Sequence, residues 1–254
     1  PRGELLGLDW LHADMHFFKK TPFEKVRTVD LLKTDPTPSP FDFEVDTRRG
    51  RIYIVNYELS GITTYSYPGM EKIARSDFIE QGVTRLKSGG QRIVYDPSAD
   101  KIYALVGWVH WMQDYYILRI DPGTLKVEKS IRLPTAGLEL SFCAAAHSLF
   151  SVDFYGRTLY EIEVPSMKLK RTVLGPVGSR NVVCDMTRGN IYATGYADGM
   201  MSVIDYRSGR TKTSFGVGPK PSSMALLEDR GELFIGSGAG ILKVDLGRLP
   251  DRKK

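Results

Sequence analysis

Cysteine is scarce in this chain, with Cys143 and Cys184 the only two in 254 residues. Two thiols cannot form the disulfide framework that staples small secreted domains, and no C-x-x-C is present to hold zinc or run redox chemistry. Histidine is nearly as rare, at four. There is no H-E-x-x-H and no G-x-S-x-G, so a nucleophilic triad has little material. No N-x-[ST] sequon occurs. No apolar run approaches the ~20 residues that span a bilayer. Runs of positive charge are missing too, apart from the tail "DRKK". The net charge of +5 allows an acidic partner, but no recognisable nucleic-acid module accompanies it. The chain starts at Pro1 rather than Met, so a processed or trimmed form is expected, with any signal or anchor upstream out of view.

What is abundant is repetition. A bulky pair follows a turn at Ile52-Tyr53, Ile102-Tyr103, Leu149-Phe150, Ile191-Tyr192 and Leu233-Phe234, at spacings of 50, 47, 42 and 42 residues. A period of roughly 40–50 residues marks a solenoid, a propeller or an array. Each unit holds four extended pieces, in the fourth unit "NVVCDM", "NIYATGY", "MSVIDY" and "TKTSFGV". Gly, Asp, Asn and Ser punctuate them as hairpin turns. The only helical pattern is a turn or two over 76–86. The unit therefore reads as a four-stranded antiparallel meander, the content of a propeller blade, whose two faces are buried only by neighbouring copies. The fold class expected is all-β, a β-propeller.

The segment "GNIYATGYADGMMSVIDYRSGRTKTSFGVGPKPSSMALLEDRGELFIGSG" resembles the YVTN-type β-propeller repeat of bacterial and archaeal surface and periplasmic proteins. The likeness extends, with decay, over residues 41–246. It departs where the first unit reads "ITTYSYPG" and where the second carries an insertion. The resemblance implies a propeller fold and a periplasmic, extracellular or surface location. It specifies function weakly.

Five repeats fill residues 41–246, and 247–254 form a basic tail. The last repeat stops after its third strand, "GILKVDL". The segment "EKVRTVDLL" (24–32) resembles the fourth-strand segment "LKVEKSIRL" (125–133). Residues 1–40 thus supply either a closing strand for the last repeat or a degenerate sixth blade. The expectation is a single domain over 1–254 with five or six blades, its ring closed by pairing of the N- and C-terminal strands.

Within such a scaffold, specificity falls to the loops. The connections from second to third strand and from fourth to first strand share one rim. There, "GWVHWMQDYY" carries Trp108, His110, Trp111 and Tyr115, large contact residues of low rotamer cost. Arg85, Lys87, Arg92, Arg180 and Lys220 are placed to make the same rim positive and attract carboxylate or phosphate. His12, Asp14 and His16 alternate, so on a strand they share one face and suit a zinc, nickel or copper ion. No motif calls for any other cofactor. The cysteines read as buried thiols in matching first strands, Glu161 and Glu163 as a solvated strand face, and Asp46, Asp96 and Asp185 as turn caps.

These features favour a non-enzymatic module that binds a protein, a peptide or a surface component. The alternative is a lactonase-like, lyase-like or cofactor-dependent propeller enzyme, with Asp42, Glu44, Glu139, Asn181 and Ser223 of the first strands at a central channel.

Overall fold

The structure, a computed structural model, describes residues 4–19, 21–35, 39–57, 60–83, 89–107 and 115–249. They form two compact units, Pro1–Leu133 and Pro134–Lys254. Each holds three antiparallel sheets.

In the first unit, sheet 1 contains β1 (Glu4–Asp9), β2 (Asp14–Lys19) and β3 (Glu24–Asp30), followed by a one-turn helix, α1 (Leu31–Thr34). Sheet 2 contains β4 (Pro40–Asp46), β5 (Arg51–Asn56), β6 (Gly61–Ser66) and β7 (Lys72–Asp77). Sheet 3 contains β8 (Gly89–Asp96), β9 (Lys101–Gly107), β10 (Tyr116–Ile120) and β11 (Val127–Arg132). In the second unit, sheet 4 contains β12 (Gly137–Cys143), β13 (Ser148–Asp153), β14 (Thr158–Glu163) and β15 (Lys168–Leu174). Sheet 5 contains β16 (Ser179–Asp185), β17 (Asn190–Gly195), β18 (Met200–Asp205) and β19 (Thr211–Gly216). Sheet 6 contains β20 (Ser223–Leu227), β21 (Glu232–Ser237) and β22 (Gly240–Asp245). Strands pair in sequence order throughout. This is the six-bladed β-propeller class of fold.

The blades repeat because each strand must bury two faces. Successive side chains of a strand point to opposite faces of its sheet. On β5, Ile52 and Ile54 pack with Met15 and Phe17 of sheet 1, while Tyr53 and Val55 pack with Ile93 and Ile102 of sheet 3. On β17, Ile191 and Ala193 face Phe150 and Val152 of sheet 4, while Tyr192 faces Leu233 and Ile235 of sheet 6. Second strands therefore read as continuous apolar runs, and fourth strands such as β7 and β15 stay exposed.

The turns between first and second strands obey one rule. Asp46, Asp96 and Asp185 accept hydrogen bonds from backbone N–H groups two or three residues on, as expected of caps. Each of these turns ends on a left-handed residue, Gly50, Asp100, His147, Gly189 or Gly231.

Several expectations are corrected. Residues 24–30 do not pair with the last repeat. They form β3, which pairs with β2 in its own sheet. The register slip between Phe17 and Phe18 matches the slips between third and fourth strands in sheets 2 to 5. Sheet 1 thus consists of strands two to four of a blade, the degenerate sixth blade rather than a closing strand. Residues 78–83 form turns, not helix. Cys143 and Cys184 are not free thiols. They form a disulfide between β12 and β16, with Cα atoms 5.8 Å apart. Matching positions in adjacent first strands lie side by side, which a reading along the chain does not reveal. Glu161 is not solvated either. It is fully buried, and accepts from Lys170 Nζ at 2.9 Å, Arg171 Nε at 2.5 Å, Tyr206 Oη at 2.8 Å and Ser148 Oγ at 2.9 Å. Burial opposes its ionisation, but these donors outweigh that and hold its carboxyl below the usual range.

Candidate functional site

The links from second to third strand and from fourth to first strand gather at one end of the sheets. In the second unit they are stitched by their backbones. Gly178 N donates to Gly156 O, Tyr196 N to Gly178 O, and Val217 N to Gly199 O, at 2.8–2.9 Å. A Cβ on Gly199, whose φ is +66°, would lie 2.7 Å from Gly218 O. Only glycine permits so close an approach in that conformation.

The stitched loops enclose an open cleft of about 680 Å³, lined by Tyr196, Asp198, Gly199, Gly218, Pro219 and Lys220. The Asp198 carboxylate is committed, accepting from Val177 N at 3.0 Å and Met200 N at 3.1 Å. Lys220 is exposed and forms no hydrogen bond or ion pair among the described residues. Beside the cleft, Phe154 packs on Tyr196 at 5.9 Å between ring centroids and edge-on to Tyr155 at 5.1 Å. The Arg180 guanidinium lies 5.9 Å from the Phe154 ring centre. Tyr155 is 54% exposed. The result is an aromatic surface beside the cleft that holds the uncommitted Lys220.

The first unit carries a similar device. Phe41 lies 5.9 Å from Trp10 and 5.3 Å from Tyr57, with the Arg92 guanidinium 5.6 Å from its ring centre. The residue that opens the second-to-third link is Trp10, Tyr57, Phe154 and Tyr196 in sheets 1, 2, 4 and 5, and in the sequence Trp108, outside the described residues, follows the last residue of β9. That recurrence is visible in the sequence once strand ends are aligned, and a reading by blade content alone passes over all but Trp108.

Of the residues expected at this rim, Arg180 and Lys220 occur together in the second unit, and Arg92 sits in the aromatic device of the first. Tyr115 does not belong to a binding surface. It is 1% exposed, and its ring fills the space a side chain at Gly107 would need. Trp108, His110, Trp111, Arg85 and Lys87 lie outside the described residues. His12, Asp14 and His16 do not converge. His12 stands in the turn after β1, its Nδ1 2.7 Å from Asp9 Oδ2, whereas His16 Nδ1 lies 2.8 Å from Thr28 Oγ1. Among the described residues, no group of three His, Cys, Asp or Glu side chains is disposed to hold a metal ion.

The inner strands of the first unit hold a separate polar cluster. Asp42 Oδ2 accepts from Ile93 N at 3.0 Å, tying β4 to β8. Burial, and then the negative charge of Asp42, push the Glu44 carboxyl up to about 7. Gln91, at the slip in β8, is 1% exposed, and neither amide atom has a hydrogen-bond partner among the described residues. Asn181 is spent on Thr194 Oγ1 at 2.9 Å. Glu139 accepts from Leu140 N at 3.3 Å. Ser223 is exposed on β20.

No protein-family model matches the chain, and no curated protein matches it in sequence. Solved structures do resemble it. Hydrazine synthase of Kuenenia stuttgartiensis superposes with a TM-score of 0.79 at 14% identity, covering 97% of this chain and 74% of that one. A functionally unknown protein from Desulfotomaculum acetoxidans superposes with a TM-score of 0.76 at 9% identity, covering 98% of this chain and 78% of that one. At such identities the likeness speaks for the fold alone.

Proposed function

We propose that this chain is a binding module of the YVTN-type propeller class, working in an oxidising compartment outside the cytosol. Its second unit takes a carboxylate-bearing peptide segment of a partner protein at the rim cleft. The observation that carries the reading is the uncommitted, exposed Lys220 beside the Phe154–Tyr155–Tyr196 surface. Aromatic area held at low rotamer cost, next to one free cation, suits an acidic segment with an apolar neighbour. The Cys143–Cys184 disulfide supports the compartment, because such bonds persist where thiols are not kept reduced.

Selection from a peptide-display library on the purified chain tests this. The expected winners pair Asp or Glu with an apolar residue. Their affinity should fall at least about tenfold in Lys220→Glu and about thirtyfold in Tyr155→Ala combined with Tyr196→Ala. Winners without acidic residues, or unchanged affinity in both variants, would refute the cleft as the site.

A second reading rests on Glu44. A carboxyl titrating near neutrality beside a second carboxylate is suited to general acid–base work. It predicts a hydrolase or lyase activity that Glu44→Gln abolishes while peptide binding at the rim persists. A substrate-library screen with no turnover above that of Glu44→Gln would remove it.

A further inference from the structure

Among the described residues, five third strands are covered by a fourth, and one is not. β2, β6, β10, β14 and β18 each pair with the following strand, with a register slip between their fourth and fifth residues. Their second residues, Met15, Ile62, Ile117, Leu159 and Met201, are all fully buried. β22 is the exception. Among the described residues it pairs only with β21, and its second residue, Ile241, is 82% exposed. Leu242 beside it is 38% exposed.

Exposed strand edges invite pairing, and natural proteins usually blunt them with proline, a bulge or unpaired lysines. β22 has no proline and no slip. Its single lysine, Lys243, is engaged with Glu232.

The side chains indicate what fits. β10 continues into Asp121 as Ile117-Leu118-Arg119-Ile120-Asp121, and β22 reads Ile241-Leu242-Lys243-Val244-Asp245, the same chemistry at every position. The strand covering β10 is β11. There Ile131 opposes Ile117 and Ser130 opposes Leu118. Glu128, the extra residue at the slip, accepts from Arg119 Nε at 2.9 Å and Lys101 Nζ at 2.6 Å. We propose that the edge of β22 is an acceptor for an extended, antiparallel strand of a partner chain with the chemistry of β11. An apolar residue would lie opposite Ile241, a hydroxyl opposite Leu242, and an acidic residue against Lys243. Main-chain hydrogen bonds supply affinity in this mode, and alternate side chains supply specificity. The edge does not involve the rim cleft and stands or falls without it.

The test uses a synthetic peptide of residues 126–133, Lys-Val-Glu-Lys-Ser-Ile-Arg-Leu, added to the intact chain. Amide hydrogen exchange along β22 and titration by fluorescence anisotropy are the readouts. The expected result is saturable binding with slowed exchange in β22. A peptide carrying Glu128→Lys should bind about tenfold more weakly, and the Lys243→Glu chain should recover that loss. Equal protection by a scrambled peptide would overturn the proposal. So would slow β22 exchange in the free monomer, or a dimer in sedimentation whose β22 amides are protected without peptide, because a second copy would then be the occupant.

Discussion

The two units solve one packing problem with different chemistry. Each must hold a pair of adjacent first strands side by side. In the first unit β4 is tied to β8 by a carboxylate hydrogen bond, Asp42 to Ile93 N, with Glu44 two residues along. In the second unit β12 is tied to β16 by a disulfide. One join is a hydrogen bond and the other is covalent. Sheet 4 buries Glu161 against Lys170 and Arg171, and Arg171 also reaches backbone carbonyls of Tyr206 and Arg207 in the turn after β18. The second unit is therefore fastened at both its inner and outer strands.

The sharpest way to break the comparison is to remove the outer fastening. Glu161→Ala removes the shared partner of Lys170 and Arg171, and because both cations keep access to solvent the cost falls below the about 3–5 kcal/mol of breaking a fully buried pair. Urea unfolding followed by hydrogen exchange should show the loss in sheets 4 and 5, with sheets 1 to 3 unaffected. Replacing Cys143 and Cys184 by Ala removes a link between residues 41 apart. The loop-closure estimate for that span is about 4 kcal/mol. The urea midpoint of the second unit should fall, and reduction of the wild-type chain should reproduce the fall. A first unit that loses as much in either experiment would mean that the two fastenings are not local.

The first unit is expected to respond to pH instead. The Glu44 carboxyl titrates at about 7 in the folded chain against an ordinary value of 4.5. Because the folded value is raised, the contribution of Glu44 is complete below the ordinary value and is lost as pH rises through about 7. The loss reaches at most about 3 kcal/mol, since each pKa unit is worth about 1.4 kcal/mol and solvent access reduces it. Wild type should therefore weaken between pH 5 and pH 8, while Glu44→Gln stays level. A parallel pH profile for the two proteins would show that Asp42 and the surrounding burial do not act on Glu44 as described.

The scaffold was legible because period and turn chemistry are local. The bulky pairs at 42–50 residue spacing, the Asp caps and the missing last strand could all be read along the chain. What could not be read depends on which residues face each other across sheets. Cys143 and Cys184 look like two lone thiols until β12 is set beside β16. Glu161 looks solvated until Lys170, Arg171 and Tyr206 close over it. Tyr115 looks like a contact residue until Gly107 opens a space beneath it. The candidate site was half legible. Lys220, Arg180 and Arg92 stood out as charges, but the aromatic that opens each second-to-third link becomes a pattern only when strand ends are known.

The smallest test concerns the turns that both units share. The left-handed position after the first strand is glycine in sheets 2, 5 and 6, but Asp100 in sheet 3 and His147 in sheet 4. The two exceptions differ in compensation. Asp100 accepts from Arg48, Arg49 and Tyr95, so its side chain offsets the backbone cost. His147 is exposed and has no side-chain hydrogen bond among the described residues. Left-handed backbone costs an ordinary residue about 1–2 kcal/mol, and glycine returns part of that through the entropy of the unfolded chain. His147→Gly should thus stabilise the second unit by about 0.5–1 kcal/mol, whereas Asp100→Gly should destabilise the first. A rise in urea midpoint for both variants would mean that the Asp100 contacts contribute nothing, and that the turn is governed by backbone conformation alone.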